Sequence, residues 1–214
     1  KVVYPLFANL QNDIIQLREA YKKIMLLVLF IISPIIVLMA LLAEQLVVFL
    51  FTEKWLPIVP IFRIICFSGI LYPLHLYNLL ILQVKGRSDL FLKLEIFKKL
   101  ILIVIIIISI FYGFTYLLAG YVLSSIIALF INTYYAGSMI NYKMKNQILD
   151  IFPIFIISAI MGVIVFFLNY NLTELSNIAR LLISSILGCT VYIFLAFIFK
   201  FQSINDVQNI IKKR

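Results

Sequence analysis

Apolar residues run along this chain in six long blocks, at approximately 24–43 (with a continuation to 51), 60–84, 92–112, 115–139, 150–169 and 178–200. A helix rises about 1.5 Å per residue, so about 20 residues cross the roughly 30 Å of hydrocarbon in a bilayer. The pattern predicts an all-α integral membrane protein, a six-transmembrane-helix bundle whose short connections make successive helices up-and-down neighbours. The third block is the least clean. Its central run, "LILIVIIIISIFY", is brief and reaches full length only by taking in "LFLKLEIFKK", whose charges must then lie at the headgroup level. In that turn Glu95 has Lys98 and Lys99 at the i+3 and i+4 positions of a helix.

Composition agrees with the pattern. The chain is 64% hydrophobic and 13% charged, far outside the range of soluble domains. A net charge of +9 would suit nucleic acid, but the basic residues fall in short clusters between apolar blocks and form no nucleic-acid motif, so that class is excluded. The clusters instead set an orientation. With the N-terminal segment cytoplasmic, fifteen of the eighteen basic residues lie on that side, and the opposite side keeps Lys54, Arg63 and Arg180. This is the asymmetry that the positive-inside rule demands of short loops. It makes the basic stretch 85–99 a cytoplasmic loop facing anionic lipid headgroups, and it places the C-terminus in the cytoplasm. Trp55 then sits at the outer interface. The expected organisation is a cytoplasmic segment over 1–23, a six-helix membrane lobe over 24–200 and a basic cytoplasmic tail over 201–214. The opening "KVVYPLFANLQ" has neither an initiator Met nor a signal-peptide pattern and reads as a start in mid-protein.

Helices in lipid associate through close approach at small residues. Gly120, Ser124 and Ala128 recur every four residues in the fourth block, Ser158 and Gly162 in the fifth, and Ser184 and Gly188 in the sixth, so these are expected seams. Pro34 and Pro73 interrupt the first and second blocks and are hinge candidates, because each removes a backbone hydrogen bond.

Polar groups inside a membrane are costly and are therefore the first functional candidates. His75, Tyr77 and Asn78 cluster midway through the second block. His75 is expected to be neutral and bonded to a neighbouring helix, the alternative being that it lines a polar cavity. Asn132, Thr133, Tyr134 and Tyr135 read as interfacial anchors. Arg63 lies about one turn inside the outer end of its helix. It either snorkels to the interface or, facing inward, binds a phosphate bidentately. Glu44 is expected to cap an interfacial helix, "EQLVVFLF". The substrate-binding candidates are accordingly Arg63, His75 and Asn78. Cys66 and Cys189 read as buried small hydrophobes, and two isolated cysteines with one histidine build no metal site, so neither a metal nor a cofactor is expected. No catalytic constellation is present, and an enzyme is not expected.

The order "VVYPLFANLQND…LREAYKK", then "LLAEQLVVFLFTEKWLPIVPIFRI", then "ILQVKGRSDLFLKLEIFKK" resembles the Wzx-type oligosaccharide flippases of the polysaccharide-transporter family. These belong to the MOP exporter superfamily, with the multidrug MATE transporters and the lipid II flippase. The resemblance is most specific in "EKWLPIVP" and "KGRSDLFLKLE", whereas the last two blocks match in hydropathy alone. It implies the C-terminal lobe of a MOP/MATE-like transporter in the bacterial inner membrane. The implied substrate is undecaprenyl-diphosphate-linked oligosaccharide, moved by alternating access. The implied partners are that substrate, membrane lipids and the preceding N-terminal lobe. The rival classes are a membrane polysaccharide polymerase or ligase, which calls for a large outer loop with catalytic residues, and a MATE-type drug exporter, which calls for an intramembrane carboxylate.

Overall fold

A computed structural model describes residues 3–199; Lys1, Lys200 and the basic tail expected over 201–214 lie outside the described residues. All regular structure among the described residues is helical. The helices are α1 (Val3–Asn9), α2 (Ile14–Leu41), α3 (Ala43–Leu50), a 3-10 segment (Glu53–Ile58), α4 (Val59–Gly69), α5 (Tyr72–Val84), α6 (Ser88–Ile110), α7 (Phe114–Met139), α8 (Met144–Asn171) and α9 (Asn177–Ile198).

Five segments are long and apolar enough to cross a bilayer: Ile14–Leu41, Glu53–Val84, Phe114–Met139, Met144–Asn171 and Asn177–Ile198. They correspond to five of the six expected blocks, and the chain is an all-α, multi-pass integral membrane protein. The remaining block is α6, a continuous helix of 23 residues whose first half carries Lys93, Glu95, Lys98 and Lys99. Its far half exposes Ile103, Val104, Ile107 and Ile108, a surface suited to lipid and not to water.

The described residues form two compact units. The first comprises 3–26 and 71–150. In it α7 packs against both α5 and α6, and α1 packs on α5. Gly120 is where α7 closes on α6: a Cβ there would stand 2.5 Å from Ser109 Oγ and 2.8 Å from Ile105 Cγ2. Two glycines in left-handed conformation make the turns at either end of α6, Gly86 at φ 69° and Gly113 at φ 104°.

The second unit comprises 27–70 and 151–199. Here the seam predicted from small residues is present. A Cβ at Gly188 of α9 would meet Leu38 Cδ2 of α2 at 2.7 Å and Val165 Cγ2 of α8 at 3.0 Å. One at Gly162 of α8 would meet Val37 Cγ1 at 3.0 Å. Ser158 and Ser184 are buried on the same faces, one turn before each glycine. Tyr192 of α9 donates to the Phe30 carbonyl at 2.8 Å, and the two rings pack with centroids 5.1 Å apart. Lipid-exposed bulk, such as Phe166, Phe167 and Phe194, covers the outward faces.

Three expectations need correction. The second block is not one helix bent at Pro73: α4 ends at Gly69, α5 starts at Tyr72, and Pro73 lies buried in the first turn of α5. A proline is well suited there, because the N–H it lacks would have no helical partner. Pro34, a hinge candidate, lies inside α2, and Pro153 lies within α8. The helices α2 and α8 start ten and six residues before their apolar blocks, since a helix continues through polar sequence beyond the bilayer. Cys66 is buried as expected, but Cys189 is exposed, on a helix whose outward side is largely apolar.

Candidate functional site

In the first unit, polar side chains from α2, α5, α6, α7 and α8 form two hydrogen-bonded chains. Asn78 of α5, with 0% exposure, anchors one of them. Its Nδ2 donates to Thr133 Oγ1 of α7 at 3.1 Å, and its Oδ1 accepts from the Tyr21 hydroxyl of α2 at 2.8 Å. The Tyr21 oxygen also lies 3.1 Å from Gln147 Oε1 of α8, and Gln147 Nε2 donates to the Tyr142 carbonyl at 2.9 Å. Tyr21, Asn78 and Gln147 are all buried, so each bond replaces water that is absent. Close by in sequence, Gly137 leaves room for the Tyr142 carbonyl and the Gln147 amide.

The second chain carries charge. Lys98 of α6 is ion-paired with Glu95 one turn earlier and donates to Asn132 Oδ1 of α7 at 2.9 Å. Asn132 Nδ2 lies 3.2 Å from His75 Nδ1 of α5, and His75 Nε2 lies 3.2 Å from Ser125 Oγ. The proton positions follow from Lys98. An ammonium has only donors, so it fixes the Asn132 oxygen towards itself and the Asn132 amide nitrogen towards His75. His75 Nδ1 must then accept, which puts the imidazole proton on Nε2, donating to Ser125 Oγ.

These contacts settle several sequence expectations. His75 is bonded to a neighbouring helix, as expected. Asn78 faces no surface, because both ends of its amide are taken up inside the unit. Lys98 does not reach out to the headgroups: its side chain is 11% exposed and turned onto α7. Asn132 and Thr133 are not interfacial anchors but buried junctions, at 0% and 7% exposure. Tyr134 and Tyr135 do face outward.

At the polar margin of this unit, Lys22 pairs with Asp150 at 2.7 Å, and Tyr142 donates to the same carboxylate. Burial, and then the bond to Asp150, raises the Tyr142 phenol above its ordinary value. In the basic loop, Arg87 pairs with Asp89 in the first turn of α6. That pairing, with a backbone N–H at Leu90, holds the Asp89 carboxyl below the usual range.

In the second unit, Arg63 lines a hollow of about 420 Å³ together with Glu44, Gln45, Asn169, Tyr170 and Arg180. Arg63 Nε donates to the Ala40 carbonyl at 3.2 Å, and its NH2 group to Glu44 Oε1 at 2.9 Å. Glu44 lies in the first turn of α3, consistent with its expected place at a helix start. Arg180 bonds Asn169 through Oδ1 at 3.2 Å and through the carbonyl at 3.1 Å. Gln45 is buried, and its Oε1 has no hydrogen-bond partner among the described residues. Two guanidiniums thus line one cavity with a single carboxylate beside them. Each guanidinium has five donors, and the bonds just named occupy two on each. Arg180, Asn169 and Gln45 were missed by sequence reasoning. The only signal for Arg180 was its place with Arg63 among the few basic residues assigned to the outer side.

Comparison with known proteins adds what the chain is similar to. Residues 1–60 match the family described as "Polysaccharide biosynthesis protein". The chain is 26% identical over 198 residues to the teichuronic acid biosynthesis protein TuaB of Bacillus subtilis, covering 91% of this chain and 41% of that protein. It is 29% identical over 109 residues to the lipopolysaccharide biosynthesis protein WzxC of Escherichia coli K12, covering 51% of this chain and 22% of that one. An uncharacterized membrane protein in the cps region of Klebsiella pneumoniae is 26% identical over 109 residues, 51% of this chain and 22% of that protein. The chain therefore spans less than half the length of these relatives. No solved structure matches. The matched N-terminal segment and these relatives make the chain similar, over those stretches, to proteins of polysaccharide biosynthesis.

Proposed function

We propose that the chain is the C-terminal lobe of a flippase. Its substrate is an undecaprenyl-diphosphate-linked oligosaccharide, carried from the cytoplasmic to the outer leaflet of the bacterial inner membrane by alternating access, with no covalent chemistry. The observation that carries this reading beyond the similarity to known proteins is the hollow holding Arg63 and Arg180. Two guanidiniums against one carboxylate suit an anionic group such as a diphosphate, which Arg recognises bidentately. His75 contributes through its polar chain rather than through direct contact, and Asn78 acts as a structural junction.

In the complete protein, Arg63→Ala should reduce glycan export with little loss of folded protein. Arg63→Lys should restore export only in part, since a point charge lacks the planar fork. Wild-type export by the Ala variant would leave Arg63 as an interface anchor. Alternating access needs one bundle to rock against another, and the relatives are more than twice as long as the matched region. Residues 1–214 expressed alone should therefore fail to complement a strain lacking its flippase, and full complementation would remove the lobe assignment.

The same proposal includes orientation, with both ends and the 85–99 loop cytoplasmic. A cysteine placed at Ser176 should be labelled from outside the cell, and one at Ser88 should not. The reverse pattern would overturn the orientation.

A further inference from the structure

The Lys98–Asn132–His75 chain has a property that its geometry alone imposes. As it stands, His75 Nδ1 has no proton and accepts from the Asn132 amide, while Nε2–H donates to Ser125. We propose that His75 is a proton-binding site whose occupancy is mutually exclusive with the Lys98–Asn132 contact, so that proton uptake frees the Lys98 turn of α6 from α7.

A proton added from water at Nδ1 turns that atom from acceptor to donor. It would then confront the Asn132 NH2 group, donor against donor. The carboxamide can restore the bond by turning over and offering Oδ1 to Nδ1–H. That rotation presents its NH2 group to the Lys98 ammonium, again donor against donor, and the contact with Lys98 is lost. The Ser125 contact survives, because Nε2 remains a donor. Lys98 keeps Glu95 as a partner, one turn away on its own helix, so its charge is not stranded. The new positive charge on His75 repels Lys98 in addition, and a partly buried pair is weakly screened.

The groups around His75 are few. From α6 they are Lys98 and Glu95, and from α7 Ser125 and Asn132. α1, which packs on α5, carries Tyr4 and no charged side chain, and α2 reaches α5 through Tyr21 at Asn78, one turn beyond His75. His75 is half-buried.

The test is hydrogen–deuterium exchange by mass spectrometry on the complete protein in nanodiscs, read as protection factors at pH 5 and pH 8. Protection across residues 93–102 of α6 should fall about tenfold at pH 5 in the wild type. His75→Asn offers an acceptor oxygen near the Nδ1 position and cannot be protonated, so it should hold the protected state at both pH values. Lys98→Met removes the contact outright and should show the low-protection state at both. Equal protection at the two pH values in the wild type would overturn the proposal. So would a pH step that persists in His75→Asn, or a Lys98→Met variant that keeps the wild-type step.

Discussion

Asn78, Asn132, Thr133 and Gln147 join buried helix faces of the first unit by bonds between named atoms, whereas at Gly162 and Gly188 the second unit has a seam where α8 and α9 approach α2 closely. Both devices meet the same demand, because helices in lipid gain nothing from hiding apolar surface from water. They differ in how they respond to change. A steric seam yields gradually as side chains shift, while a hydrogen-bonded junction has alternative states, with donors and acceptors matched or opposed. Switching belongs with the second kind of contact. In the first unit a charged side chain, Lys98, reaches a buried helix contact, whereas at the seam of the second the glycines meet leucine and valine.

The sharpest way to break this contrast is to enlarge the seam. Gly188→Leu must force α9 from both α2 and α8 and should cost about 3 kcal/mol, the upper end for overpacking. The thermal midpoint and monodisperse yield of the purified protein would report it. Next in size is Asn78→Leu, which removes the buried bonds to the Tyr21 and Thr133 hydroxyls and should cost about 2 kcal/mol. Adding Tyr21→Phe to that variant should cost less than Tyr21→Phe does alone, because the shared bond has already gone. A strictly additive thermal-denaturation cycle would show that the junction does not act as a unit. Tyr192→Phe removes the one hydrogen bond named in the second unit's seam and should cost about 0.6 kcal/mol, the typical value for interhelical bonds in a membrane. The smallest effect is expected from Glu44→Gln. Its pair with Arg63 is roughly half exposed on both sides, so the midpoint should move by less than the equivalent of about 0.5 kcal/mol.

How much of this was legible beforehand depended on which physical rule applied. The spans were readable because bilayer thickness sets a minimum apolar length, and the glycine seams because their spacing is that of a helix face. The break after Gly69 was not, since a Gly–Pro pair four residues apart is compatible with a kink or with a fresh start. Asn132 was visible as a polar residue, but its role depends on how α7 is rotated towards Lys98 and His75, which no single helix encodes. Cys189 failed for a different reason. In a membrane an apolar residue is at home on the outside, so apolarity ceased to predict burial. Arg63 was visible as a charge near the end of a span, whereas Arg180 and Asn169 join it only through the fold.

The charge-bearing first half of α6 also bears on how the chain reaches its membrane in the first place. Lys98 is near the middle of a 23-residue helix, and each lysine or acidic residue there opposes partition from the insertion machinery into lipid by about 3 kcal/mol. The isoleucine run that follows offers only part of the compensation. α7 is joined to α6 by a turn of three residues, supplies the Asn132 oxygen to Lys98 and receives α6 against Gly120. The two helices are therefore suited to enter the bilayer as a hairpin, with α6 held back until its partner emerges. Biogenesis of this segment would then be cooperative, and a nascent chain truncated before residue 114 should leave α6 at the membrane surface.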